Sequence, residues 1–343
     1  MRGEIERWLF AHIDDWISGR PGDETVRRLR SIPETRIPDD FLFYVASSLA
    51  ASETGPLRSE ALGGLATTMI EEPRARRVAI AVSEGFESAG VPHVFIKGAD
   101  LRYRLYDDPC QRPGSDVDVL CDPAARKEAA IALQGLGAEL QRNDGFFEGY
   151  GYELSAHLGG VGVDLHGSML SSWRSRFDAA SVIEDREAME IDGGRLWVTH
   201  REDAVAIALI HTGRVLGGRE YVAFKHGIDL ALMLSRWEGI DWHRIAERVA
   251  VWRCLRLAGG GLWAWRPWLG GLIPREALHA LDPGPLQRRV AQADPRILVR
   301  PEVRTSRVLR ARRLAGQVLF SDGFSERAAI LRGALAGFFQ VSH

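Results

Sequence analysis

The chain has 343 residues, 45% of them apolar, and 44 Lys and Arg against 46 Asp and Glu give a formal net charge of -2. That length allows two or three domains with a real core, and that charge balance argues against a global field for nucleic acid or membranes. Cys110, Cys121 and Cys254 are isolated, which argues against a disulfide framework or a thiolate zinc site and reads as a reducing, cytoplasmic setting.

The chain opens on "MRGEIERWLFAHIDDW", which carries acids throughout and lacks the apolar stretch of a signal peptide. No apolar run reaches the ~18 residues that span a bilayer. The best stretch, "LAGGGLWAWRPWLGGLI", is broken by Arg266, Pro267 and several glycines. Residues 1–90 read as helical. "PDDFLFYVASSLAAS" follows a proline, starts with acids and repeats apolar residues at helical spacing. "SEALGGLATTMIEEPRARRVAIAVSEGFESAG" predicts two helices, with Pro73 opening the second and Gly90 closing it.

The texture changes at Val91. "VPHVFIKG" predicts a short strand, "ADLRYRLYDD" a short helix, "SDVDVLCD" a strand, and "PAARKEAAIALQGLG" a helix opened by proline and closed by glycine. "AELQR", "GYELSAHL" and "GVDLHGSML" predict three further strands, and "AMEIDGGRLWVTH" a hairpin turning at "DGG". From Arg201 the helical period returns in "REDAVAIALIHTG", "FKHGIDLALMLSRW" and "DWHRIAERVA". The expected architecture is α+β. A small mixed β-sheet forms an α/β core over 91–200, with a helical N-terminal region over 1–90 and a helical C-terminal domain over 201–343.

The chemistry concentrates in "RPGSDVDVLCD", residues 112–122. A strand alternates faces, so Asp116 and Asp118 point one way while Val117 and Val119 point toward the core. On this reading the two acids share the open face of a sheet edge. Two carboxylates that close repel unless a cation sits between them. Magnesium takes hard oxygen ligands and keeps waters that phosphate oxygens can replace. A lone D-x-D is more often the mark of a turn or a solvated edge, so the neighbours decide. Lys97 and Gly98 stand where a strand gives way to a helix, a natural place for an anion. Arg112 and Ser115 precede the acids, and arginine suits phosphate through its planar fork. "VGVDLHG" offers Asp164 as a third carboxylate from a strand ~4.8 Å away, with His166 on the same face.

This pattern of strand, glycine turn, short helix, S-D-h-D-h and a later strand acid resembles the DNA polymerase β-like nucleotidyltransferase superfamily. The form "hKGA…LY…RPxSDhDhL…hDLH" is similar to an uncharacterised nucleotidyltransferase family found beside ribosomal-peptide maturation genes. The resemblance covers about 91–170 and extends into "IALIHTG" and "IDLALML…IDWHRI". It implies a nucleotidyltransferase core in which Asp116, Asp118 and Asp164 are catalytic and hold two Mg²⁺ ions. It also implies an NTP donor, with Lys97, Gly98, Arg112 and Ser115 at its phosphates. An NMP group, AMP first among them, would pass to a hydroxyl or other acceptor on a peptide, protein or small molecule, with release of pyrophosphate. The near-zero charge and the lack of a long basic face argue against a nucleic-acid acceptor. One departure stands out: Ala99 follows Gly98 where the superfamily usually has Gly or Ser.

Other features invite weighing. "RPEVRTSRVLRARR", 300–313, has six arginines against one glutamate and reads first as a solvated helix face, second as a contact for RNA or an acidic peptide. The tryptophans at 252, 263, 265 and 268 read as core. The resemblance implies that His211, and with it Lys225 and Asp229 of the next helix, stands near the site, while as isolated residues on amphipathic helices they read as structural. The alternative function is a binding module that keeps the fold while its acids are vestigial.

Overall fold

The computed structural model describes residues 8–13, 24, 27–28, 56–114, 116–141, 147, 152–170, 175–216, 224–293, 315–323 and 327–328. Helix α1, Pro56–Ser88, runs 33 residues through Pro73, where the sequence predicts two helices. A proline in a first turn and one inside a helix look alike locally. Here Ala75, Val78, Ala79, Val82 and Phe86 pack beside the sheet and hold the turns beyond Pro73 in line.

The core follows in the expected order. Strand β1 is His93–Phe95, α2 is Gly98–Leu105, β2 is Val117–Cys121 and α3 is Arg126–Gly135. Then come β3 Glu139–Leu140, β4 Glu153–Leu158, β5 Val161–His166, a short α4 Ala179–Glu184, and the hairpin β6 Glu187–Ile191 and β7 Gly194–Val198. The C-terminal helices are α5 Arg201–Leu216, α6 Phe224–Arg236, α7 Trp242–Val251, α8 Leu255–Leu269, α9 Arg275–Ala280 and α10 Pro285–Ala293. This is the α+β class that the sequence predicts.

The seven strands form one mixed sheet in the order β3-β4-β5-β2-β1-β7-β6. Strand β2 is therefore central and not an edge. It lies antiparallel to β1 and parallel to β5. The alternation of β2 is visible in its burial. Val117, Val119 and Cys121 join Val163 and Leu165 of β5 in a core with α1 and α3. Leu120, with Val94 of β1 and Ile96 just after it, faces the other way, into a core built with α5–α8. The sheet is thus covered on both sides, and the site lies between its helical-domain face and α5 and α6.

Candidate active site

In the parallel pairing of β2 and β5, Asp118 stands opposite Asp164. Neighbouring strands sit ~4.8 Å apart and partners share a face, so the two carboxylates flank one patch of sheet. Asp116, two residues earlier, precedes β2 and is exposed. Asp118 is only 3% exposed, which corrects the expectation of an open face: Lys97 and His166 pack on its carboxylate, and α5 and α6 close the cavity that it lines. Burial of a carboxylate demands partners, and Asp118 has two. Lys97 Nζ donates to its Oδ1 at 2.6 Å, and His166 Nε2 lies 2.9 Å from the same oxygen. Burial by itself would raise the Asp118 pKa. The Lys97 charge and the hydrogen bonds from His166 and Lys97 outweigh it and hold the carboxyl well below the usual range. Burial likewise opposes the Lys97 charge, and Asp118 more than restores it, so the ammonium's pKa is raised. Asp164 Oδ1 accepts from Ser155 Oγ at 2.8 Å, across the antiparallel β4–β5 pair.

The facing wall comes from two helices. On α5, His211 and Arg214 sit three residues apart and so share a face. On α6, Lys225 and His226 open the helix and Asp229 follows one turn later. Together with Tyr152 and Glu153 at the entry to β4, the acids and His211, Arg214, Lys225 and His226 line a polar cavity of about 230 Å³. Arg214 Nη2 donates to the Tyr152 hydroxyl at 2.9 Å. His211 and His226 lie with ring centroids 4.6 Å apart. Burial, and then their neighbouring charges, push both imidazoles well below their ordinary pKa. Burial, then Arg112, lowers the pKa of Lys225.

Of the residues expected at the phosphates, Lys97, Gly98 and Arg112 line the same cavity and also contact other protein groups. Arg112 lines the cavity, but its fork binds Asp229, Nε to Oδ1 at 2.8 Å and Nη2 to Oδ2 at 2.7 Å. Gly98 also lines it, yet the space where its Cβ would stand is taken by Arg112 Nη1, 2.5 Å away. Lys97 has φ 54° and its ammonium on Asp118. Ser115 and the arginines of 300–313 lie outside the described residues. Trp252, Trp265 and Trp268 are core. The sequence reading missed Arg214, Tyr152, Glu153 and His226. The i, i+3 spacing of Arg214 from His211 was the available signal; Tyr152 and Glu153 had none.

Among the described residues, no group of three or more His, Cys, Asp and Glu side chains is arranged to hold a metal ion. The reason is visible: Lys97 and His166 hold Asp118 Oδ1, and Ser155 holds Asp164 Oδ1. The donor chemistry fits a hard divalent cation all the same. Asp116, Asp118 and Asp164 are oxygen donors that line one polar cavity, and each Oδ2 of the paired two makes no hydrogen bond among the described residues.

A model of the uncharacterised nucleotidyltransferase family matches residues 48–270. Among solved structures, the solution structure of the antibiotic-resistance factor ANT(2'')-Ia aligns with a TM-score of 0.36 and 13% identity, covering 52% of this chain and 91% of that one. No curated protein sequence matches.

Proposed function

The chain belongs to the uncharacterised nucleotidyltransferase family, and from that premise we propose that it moves an NMP group from a magnesium-bound NTP to an acceptor hydroxyl, releasing pyrophosphate. The observation that carries this reading is the register of Asp118 with Asp164 on parallel neighbours, facing cationic side chains of α5 and α6 across one cavity. The Asp118 and Asp164 carboxylates on the sheet suit metal ions, with Asp116 close to Lys225, and Arg214 and Lys225 on the helices suit phosphate oxygens.

Asp116, Asp118 and Asp164 would hold Mg²⁺. The ions, when bound, neutralise charge on the phosphates and lower the pKa of the attacking hydroxyl. The residues themselves position and shield. Lys225 and Arg214 receive the β- and γ-phosphate oxygens. Lys97 keeps Asp118 ionised and oriented, and His166 steadies the same oxygen. The acceptor oxygen bonds to the α-phosphorus as the bond to the α,β-bridging oxygen breaks. Pyrophosphate leaves with that electron pair, and the hydroxyl proton goes to solvent. The acceptor is a peptide, protein or small molecule, approaching from the open side of the cavity.

The test is calorimetric titration of each Mg–NTP into the wild type and into Asp116→Asn/Asp164→Asn, a variant that leaves the Lys97–Asp118 pair in place. Binding of one nucleotide that is lost in the variant supports the reading and identifies the donor. NMP transfer should fall at least on the order of 10²-fold with either single change. Binding of no nucleotide would sink it and favour a chain that keeps the fold to bind a partner.

A further inference from the structure

Arg102 and Arg112 are each 2% exposed. Arginine is almost never so buried without a reason, and both converge on the same short loop. Arg102, on α2, donates Nη2 to the carbonyl of Gly114. Arg112, two residues before Gly114, gives its fork to Asp229 of α6, 117 positions away in sequence. Asp229 is 1% exposed and also accepts from the Tyr106 hydroxyl at 2.7 Å. Gly114 has φ +110°, and a Cβ there would stand 2.8 Å from Lys225 Nζ and 3.3 Å from Asp116 Oδ1. The loop is therefore held from α2 and from α6 at once, and it delivers Asp116 beside Lys225.

A buried ion pair adds little stability compared with apolar packing of the same volume. Its retention here has a geometric consequence instead. We propose that Arg112 and Asp229, with Arg102, form a positioning clamp that fixes residues 112–114 and so sets Asp116 at the cavity, and that residue 98 is glycine to admit Arg112. The nucleotide arm of the test rests on the transfer reading above; the other arms do not. The clamp makes Asp116 depend on the docking of α6. It also assigns the small size of residue 98 to a protein side chain and not to the nucleotide. Gly98→Ala must displace Arg112 Nη1, and its damage should pass through that displacement.

The experiment has two parts. In the first, Arg112→Met/Asp229→Leu replaces the pair by apolar side chains, and amide hydrogen exchange and thermal unfolding are followed. The expected result is an unfolding midpoint near that of the wild type, with exchange in the 112–118 segment rising about tenfold or more and β5 unchanged. Unchanged exchange in that segment would overturn the clamp. In the second, Gly98→Ala is combined with Arg112→Lys, which keeps charge opposite Asp229 but vacates the Nη1 position. The probes are Mg–ATP affinity and the unfolding midpoint. Alone, Gly98→Ala should weaken both, affinity by about tenfold; on Arg112→Lys it should add less than about twofold. Equal losses in both backgrounds would assign Gly98 to the nucleotide and overturn that half. If the wild type binds no Mg–ATP, the transfer reading fails, while exchange and unfolding still decide the clamp.

Discussion

Asp118 differs from its two companions in what depends on it. It compensates the Lys97 ammonium, whose side chain is 15% exposed, and it contacts His166. Asp118→Asn should therefore cost about 2–3 kcal/mol of stability as well as activity, because it leaves a largely buried charge without its counter-ion. Asp164→Asn, which disturbs one hydrogen bond to Ser155, should cost under about 1 kcal/mol while abolishing transfer. Urea unfolding of the two variants checks the contrast. His93 makes a second residue-scale prediction. It is 2% exposed, its Nδ1 bonds the Val91 carbonyl at 3.0 Å, and burial lowers its pKa. An unfolded histidine titrates near about 6.5. Below that pH the unfolded chain takes up a proton that the folded chain refuses. Stability is thus whole above about pH 6.5 and lost as pH falls toward the depressed folded value. The buried imidazoles of His211 and His226 act in the same direction. His93→Gln should flatten the dependence of the urea midpoint between about pH 7.5 and 5.5, and an unaltered slope would contradict this account.

At the scale of elements, α5 brings His211 and Arg214 to the cavity because it lies against α8 with almost nothing between. A Cβ at Gly213 would overlap the Leu257 carbonyl, and one at Gly261 the Leu209 carbonyl. Backbone cannot yield as a flexible side chain can. Gly213→Ala should push the helices apart, cost about 1–3 kcal/mol or more, and lower nucleotide affinity by displacing the residues on either side of it. At Gly135, the end of α3, an added Cβ would meet nothing within 4 Å. Gly135→Ala should be neutral or slightly stabilising. Similar losses in the two variants, measured by thermal unfolding and nucleotide titration, would refute the close-approach explanation.

For the whole molecule, the sheet is a shared wall. Phe95, Val119 and Leu165 pack toward α1 and α3, while Val94, Ile96 and Leu120 pack with residues of α5–α8. The three-part division into 1–90, 91–200 and 201–343 marks where periodicity changes, and we propose that its parts fold together and not separately. A fragment of 91–200 would expose both apolar faces of its sheet, so it should fail to fold by itself and aggregate, whereas a chain containing α1 through α8 should unfold in one transition. A folded, monomeric 91–200 fragment, judged by near-ultraviolet circular dichroism, would contradict this.

Much of the site could be read from local pattern. The period of two put Asp118 on the face opposite Val117 and Val119, and glycine and proline signals located most core elements, since such constraints act over a few residues. That the chain carries an Asp-Val-Asp run at the start of a strand, a later strand acid and a Lys-Gly turn is a property of its sequence. Which of these groups meet is not. The Asp118–Asp164 register, the capture of Arg112 by Asp229 and the helix α1 running through Pro73 arise from contacts between residues tens to more than a hundred positions apart, or from burial against a sheet that local propensity cannot sense. Arginine beside an acid pair looks the same in sequence whether it will hold a phosphate or a buried carboxylate. In the tertiary structure Arg112 Nε and Nη2 bind the buried Asp229 of α6, a partner that no local pattern announces.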